Sequence, residues 1–285
     1  MAGRSGNLGL AGAAKLSFNA GMILRKVMSA VLALATVAAA PPQYLREQKA
    51  VTFNGRPETW QLVWDGRPKP ICGPQDVETA ITCPCTGFAY GEMGKLALVR
   101  KAGGKVIDRL ALGPFFEDLP ESNSKGLAAM QWRPMRPGDF DRANEGSSPA
   151  FLAEVAKRPG PRVMQTADYD RDGNASEFLV QVSAGPCGHT EYMLFGVSRA
   201  RPKLHAFGTA DHPDGVLVLP GSAWQALLTS RGPARVTAWP CGDHASEVRQ
   251  ELVLSASGGA IRARQRTWTC PENGEAERLL KDVQL

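Results

Sequence analysis

Short runs of alternating apolar and polar residues, punctuated by glycine and proline, dominate the chain from residue 59 onward. The run TWQLVW at 59–64 predicts a strand, and Asp65-Gly66 a turn after it. LALVR (96–100), AGGK (102–105) and VIDRLAL (106–112) predict a hairpin, because alternation, a Gly-Gly turn and alternation follow one another. Residues 117–150 are rich in Pro, Gly, Asp and Ser and predict a long loop or linker. Ser148-Pro149 then opens a short helix over 150–157, with a capping serine and a proline at the first helical position. Pro159-Gly160-Pro161 ends it. FLVQV (178–182) and YMLFGV (192–197) predict strands, 203–207 a returning strand, and 222–230 a short helix. A second hairpin is predicted from EVRQELVLS (247–255), the turn Ser257-Gly258-Gly259 and AIRARQRTW (260–268), preceded by a strand at 236–239. Residues 275–285 fit either a helix or a strand.

These elements predict a mainly β fold, with antiparallel hairpins forming a β-propeller-like or multi-sheet domain and a few short helices. The expected divisions are a signal peptide at 1–39, an N-terminal β-rich part at 40–116, a loop or linker with a short helix at 117–160, and a C-terminal β-rich part at 161–285. The linker is also compatible with a single domain.

The leader changes the electrostatic picture. Arg25 and Lys26 precede an apolar run at 27–37 and the small residues Ala38, Ala39 and Ala40, the layout of a secretory signal peptide. The run falls well short of the roughly 20 residues that span a bilayer, so no stable membrane span is expected after cleavage. The formal charge is +5, and the leader holds Arg4, Lys15, Arg25 and Lys26 with no acidic residue. Removing those four charges leaves +1, which weakens the case for nucleic acid as a partner. Export also directs the six cysteines, at 72, 83, 85, 187, 241 and 270, toward disulfides. Locality favours Cys241 with Cys270, and Cys72 with either Cys83 or Cys85. Pro-Cys pairs precede predicted strands at 84–85, 186–187 and 240–241, a faint repeat of the kind that propeller blades produce.

The sharpest chemical feature is the segment DYDRDGNASE at 168–177, which runs directly into a strand. Three carboxylates at alternate positions converge only where the backbone curls, and Gly173 supplies the freedom for that turn. Close carboxylates repel one another unless a hard divalent cation neutralises them, and calcium tolerates irregular oxygen shells. The expected ligands are Asp168, Asp170, Asp172, the Asn174 carbonyl and Glu177, with Ser176 as an alternative closing group. The Asp-x-Asp-x-Asp-Gly run followed by an apolar strand resembles the calcium loops of FG-GAP/VCBS-type repeats. That resemblance implies a propeller-building calcium loop in an exported protein. It extends over about 15 residues, with the closing acid at the tenth loop position, Glu177, rather than the ninth, Ser176. A second acidic stretch, Asp139 to Glu145, lacks the turn glycine and reads as a plain loop.

Other chemistry is weaker. Cys187 with His189 and Cys241 with His244 offer a Cys2His2 zinc set, though not at the usual ligand spacing. Asp243 beside His244 is the arrangement that orients a general base. Ser122 and Lys125 fit Ser-x-x-Lys without its supporting motifs. The leading expectation is therefore an exported, non-enzymatic β-rich protein with a structural calcium loop, secreted or periplasmic, that binds a protein or a polysaccharide. The competing expectation is a secreted or periplasmic hydrolase of cell-wall or polysaccharide substrate, using His189 or His244.

Overall fold

The computed structural model describes residues 42–73, 90–116, 126–144, 148–184, 189–271 and 275–285. The leader, Cys83, Cys85, Cys187 and the Ser122–Lys125 motif lie outside the described residues. Pro41–Leu285 forms one compact unit.

The chain is mainly β, built from antiparallel hairpins arranged in several sheets. The first sheet has the order β1-β2-β5-β6, with β1 at Gln43–Phe53, β2 at Arg56–Asp65, β5 at Leu96–Ala102 and β6 at Lys105–Ala111. β3 (Lys69–Ile71), β4 (Gly91–Gly94) and β7 (Ala128–Gln131) form a small sheet beside it. In the next sheet, β9 (Thr190–Gly196) pairs with β8 (Glu177–Ala184) on one side. On its other side it meets β10 (His205–Ala206) and β11 (Val218–Pro220). The last sheet is a simple meander of β12 (Ala234–Trp239), β13 (Val248–Ser257), β14 (Ala260–Thr269) and β15 (Leu279–Gln284).

The hairpin β8–β9 is the middle layer, and its side-chain alternation serves two cores at once. Phe178, Val180 and Val182 from β8, with Met193 and Phe195 from β9, join Trp60, Leu62, Trp64, Leu96 and Leu98 of the first sheet. Trp60 meets Phe178 edge-on at 6.4 Å. The intervening residues Leu179, Tyr192 and Leu194 face the other way, toward Leu252, Leu254, Ile261 and Ala263 of the last sheet. Between those layers lies helix α3 (Gly221–Thr229), whose Trp224 is fully buried and donates from Nε1 to the Tyr192 carbonyl at 3.0 Å.

The predicted hairpins stand at 96–111 and 248–269. The 150–157 segment is helix α2, Pro149–Lys157, and the Ser148 hydroxyl accepts from the Phe151 N–H at 3.2 Å. The ambiguous C-terminus is strand β15, fixed by its pairing with β14. Two elements depart from expectation within 117–150. Ala128, Ala129 and Met130 are buried and pair with β4, and Asp139–Asn144 forms helix α1. Tertiary contacts make both: Asp139 of α1 is buried against Arg158 in a two-pronged ion pair, at 2.5 and 2.8 Å. The stretch beginning at Asp139 is therefore not a plain loop. Cys241 and Cys270 form a disulfide, and Cys72 is also disulfide-bonded.

Candidate metal centre

A β-bridge between Ala167 and Glu177 closes the acidic loop at its base, with N–H to carbonyl distances of 2.8 and 3.2 Å. Inside it the chain satisfies its own amides with carboxylates. The Asp168 oxygens accept from the Asp172 and Gly173 N–H groups at 3.0 and 3.1 Å, and Asp170 Oδ1 accepts from the Asp172 N–H at 3.0 Å. These bonds require a tight curl. Gly173 takes a positive φ of 91°, and Arg171 adopts 58°, a left-handed conformation uncommon outside glycine.

The curl brings Asp168, Asp170 and Glu177 together, with one oxygen from each lying within 4.8 Å of the others. Asp170 and Glu177 are fully buried. Glu177 Oε2 accepts from the Tyr169 N–H at 2.8 Å, and its Oε1 from the Ser176 hydroxyl at 2.7 Å. Asp170 Oδ2 is buried and has no hydrogen-bond partner. Burial, followed by the charges of Asp172 and Asp168, pushes the Asp170 carboxyl up to about 7. Burial and the charge of Asp170 push Glu177 up to about 8. Without a cation, this centre is short of positive charge.

Asp172 and Asn174 are placed differently from their three companions. Asp172 Oδ1 accepts from the Asn174 backbone and side-chain amides at 2.7 and 2.9 Å, and its Oδ2 accepts from the Arg199 N–H. The Asn174 side chain turns outward to the β1–β2 turn, exchanging bonds of 3.0 and 3.3 Å with Asn54. The carbonyls of Asp170 and Arg171 accept from Gly259 and Gly258, at the tip of the β13–β14 hairpin. The Arg171 guanidinium caps α3 at the Leu227 and Ser230 carbonyls. The loop thus ties together two hairpin tips and a helix end. Asn54, Arg199, Gly258 and Gly259 carry no local signal for this role; only the fold brings them to the loop.

The oxygen-only donor set fits a hard cation such as calcium. Each engaged carboxylate oxygen of Asp168, Asp170 and Glu177 keeps a second lone pair, and Asp170 Oδ2 keeps both.

Two further arrangements carry polar chemistry. A cleft of about 510 Å³ is lined by Tyr44, Trp64 and Trp132, with Arg46, Glu92 and Arg133 among its polar groups. Arg46 Nε lies 2.9 Å from Glu92 Oε1, and burial raises the Glu92 carboxyl above its ordinary range despite that contact. At the end of β12, His189 and His244 meet across Asp243. The disulfide removes Cys241 from the Cys2His2 zinc set, while the two histidines of that set do converge.

No protein-family model, curated protein or solved structure matches the chain. Among the described residues, no helix is long and apolar enough to cross a membrane.

Proposed function

We propose that the mature chain is an exported, non-enzymatic binding protein, completed by one structural calcium ion held by Asp168, Asp170 and Glu177. The observation that carries this reading is the fully buried Asp170 carboxylate, whose Oδ2 has no partner and faces two more carboxylates. A buried, unpaired carboxylate is costly, and a divalent cation removes both the repulsion and the missing contact. The FG-GAP/VCBS-like run from Asp168 into β8 supports the same reading. Calcium would act as folding energy, by mass action on the native state.

The ligand we assign is a polysaccharide, taken up in the cleft beside Tyr44 and Trp132; Trp64, which also lines it, is buried in the core. Aromatic faces beside a few fixed polar groups suit sugar rings, with their apolar faces and hydroxyl edges. Glu92, in contact with Arg46, is the carboxylate among the described lining residues and can accept from a sugar hydroxyl.

Melting the protein in millimolar calcium and in chelator tests the metal. A midpoint that rises with calcium supports it, and an identical midpoint in both removes it. Affinity electrophoresis through polysaccharide gels tests the ligand separately: retardation lost in Trp132→Ala supports the cleft, and free migration on every gel rejects the polysaccharide assignment.

A further inference from the structure

His189, immediately before β9, meets Asp243 and His244 in the turn after β12, although 54 residues separate His189 from Asp243. His189 Nε2 lies 3.0 Å from Asp243 Oδ2, and His244 Nε2 lies 3.7 Å from Asp243 Oδ1. All three side chains are partly exposed, so a cation could reach them from solvent. From this geometry we infer a second metal site, distinct from the acidic loop, in which His189, Asp243 and His244 bind a borderline divalent cation of the zinc class.

The spacing carries the inference. Zinc holds nitrogen and oxygen ligands at about 2.0–2.2 Å, so neighbouring donors of a tetrahedral shell stand roughly 3.3–3.6 Å apart. The two contacts, one to each Asp243 oxygen, bracket that edge, and one donor atom from each residue lies within 4.8 Å of the others. A simple ion pair would need only His189 and Asp243. The second imidazole sits on the other carboxylate oxygen, beyond hydrogen-bond distance, where it completes a three-ligand face with one position open. Imidazole nitrogens select this cation class over calcium, which the all-oxygen loop favours.

The surroundings hold the ligands in place without metal. Trp239 stacks on the His189 ring at 4.5 Å and 27°, and its Nε1 donates to the Asp243 carbonyl at 3.2 Å. Cys241, two residues before Asp243, is anchored to Cys270 on β14's C-terminal side. The turn is left-handed at Gly242 (φ 77°), His244 (φ 49°) and Ala245 (φ 60°), and is closed by Gly242 N–H to the Ser246 carbonyl at 3.0 Å. Left-handed non-glycine residues cost energy and tend to occur where a side chain is aimed for use.

Zinc titration of the calcium-saturated protein by calorimetry, repeated with cobalt and followed by visible absorption, tests the site. One equivalent is expected to bind, with the cobalt spectrum of a four-coordinate nitrogen and oxygen site. His189→Phe keeps a ring on Trp239, and His244→Asn keeps a residue that tolerates the left-handed turn. Each should weaken zinc binding by at least about tenfold, as loss of a ligand implies. His212→Asn should leave it unchanged, and calcium saturation keeps zinc from the acidic loop, which separates this site from another histidine and from that loop. Wild-type protein that takes up no stoichiometric zinc would overturn the inference. So would H189F and H244N proteins that bind zinc as the wild type does.

Discussion

Replacing Asp170 by asparagine should stabilise the metal-free protein at alkaline pH while abolishing its response to calcium. Asp170 is fully buried, and its carboxyl is pushed from 3.8 to about 7, first by burial and then by Asp172 and Asp168. A folded-state value above the unfolded one means that the native protein binds the extra proton. Stability is then fully present below the unfolded value and declines as pH rises through the folded one. At pH 8 the ionised Asp170 destabilises the metal-free fold by on the order of 4 kcal/mol, at 1.36 kcal/mol per unit. Asparagine has nearly the same shape and no charge, and its amide can donate to the neighbouring carboxylates. Its own burial costs about 1–3 kcal/mol, which leaves a net gain of roughly 1–3 kcal/mol. For a domain of this size that is a rise of roughly 2–12 °C in the melting midpoint. Calorimetry or circular dichroism in chelator at pH 8 reads it, and the difference should vanish at pH 5. Calcium at a hundredfold its dissociation constant should add about 2.7 kcal/mol to the wild type and nothing to the variant. An Asp170→Asn protein less stable than wild type in chelator at pH 8, or one that still gains from calcium, would refute the reasoning.

Other expectations are independent of that test. In chelator, wild-type stability should fall between pH 5 and 8 as Asp170 and Glu177 ionise, and calcium should flatten the profile; urea titrations across that range check it. A Cβ at position 196 would sit 2.2 Å from the Ser176 carbonyl, so Gly196→Ala should weaken calcium affinity and lower the melting midpoint together. Ser148→Ala should cost about 1 kcal/mol through the loss of the α2 cap, with an unchanged denaturant slope. Arg158→Met should cost about 3–5 kcal/mol because Asp139 is left buried and unpaired, and adding Asp139→Leu should recover most of it. A double variant as unstable as the single one would argue against that pairing.

Elements whose signal is local were legible in the chain. The Gly-Gly hairpins, the Ser148-Pro149 helix start and the Cys241–Cys270 pairing are each specified by residues close in sequence. Strand β1 was missed although Asn54-Gly55, both at positive φ, is a strong hairpin turn. Its side chains are mostly exposed up to Val51, so the apolar alternation that marks a strand is absent. Strand β7 and helix α1 were hidden for another reason: each depends on a distant partner, β4 for one and Arg158 for the other. The same division runs through the acidic loop. Its curl followed from Gly173 and the alternating carboxylates, but Asn174 turning to Asn54, 120 residues away, did not. Likewise His189, Asp243 and His244 were each noticed, yet only the packing of the middle sheet beside the last brings them together.

The double-faced β8–β9 hairpin has a consequence for how freely the sequence can change. At most strand positions one side chain answers to a single core, and the next answers to water. Along 178–180 and 192–195, successive residues answer to two different cores, so a substitution at any of them meets packed neighbours. The first sheet's outer strand is the opposite case, with Val106 and Ile107 more than half or about half exposed. In a saturation library selected for folded protein, tolerance should collapse to a narrow apolar alphabet at 178–180 and 192–195. On β6 it should stay broad. The centre of the molecule would then appear as two adjacent blocks of intolerant positions rather than as the every-other-residue pattern of an ordinary strand.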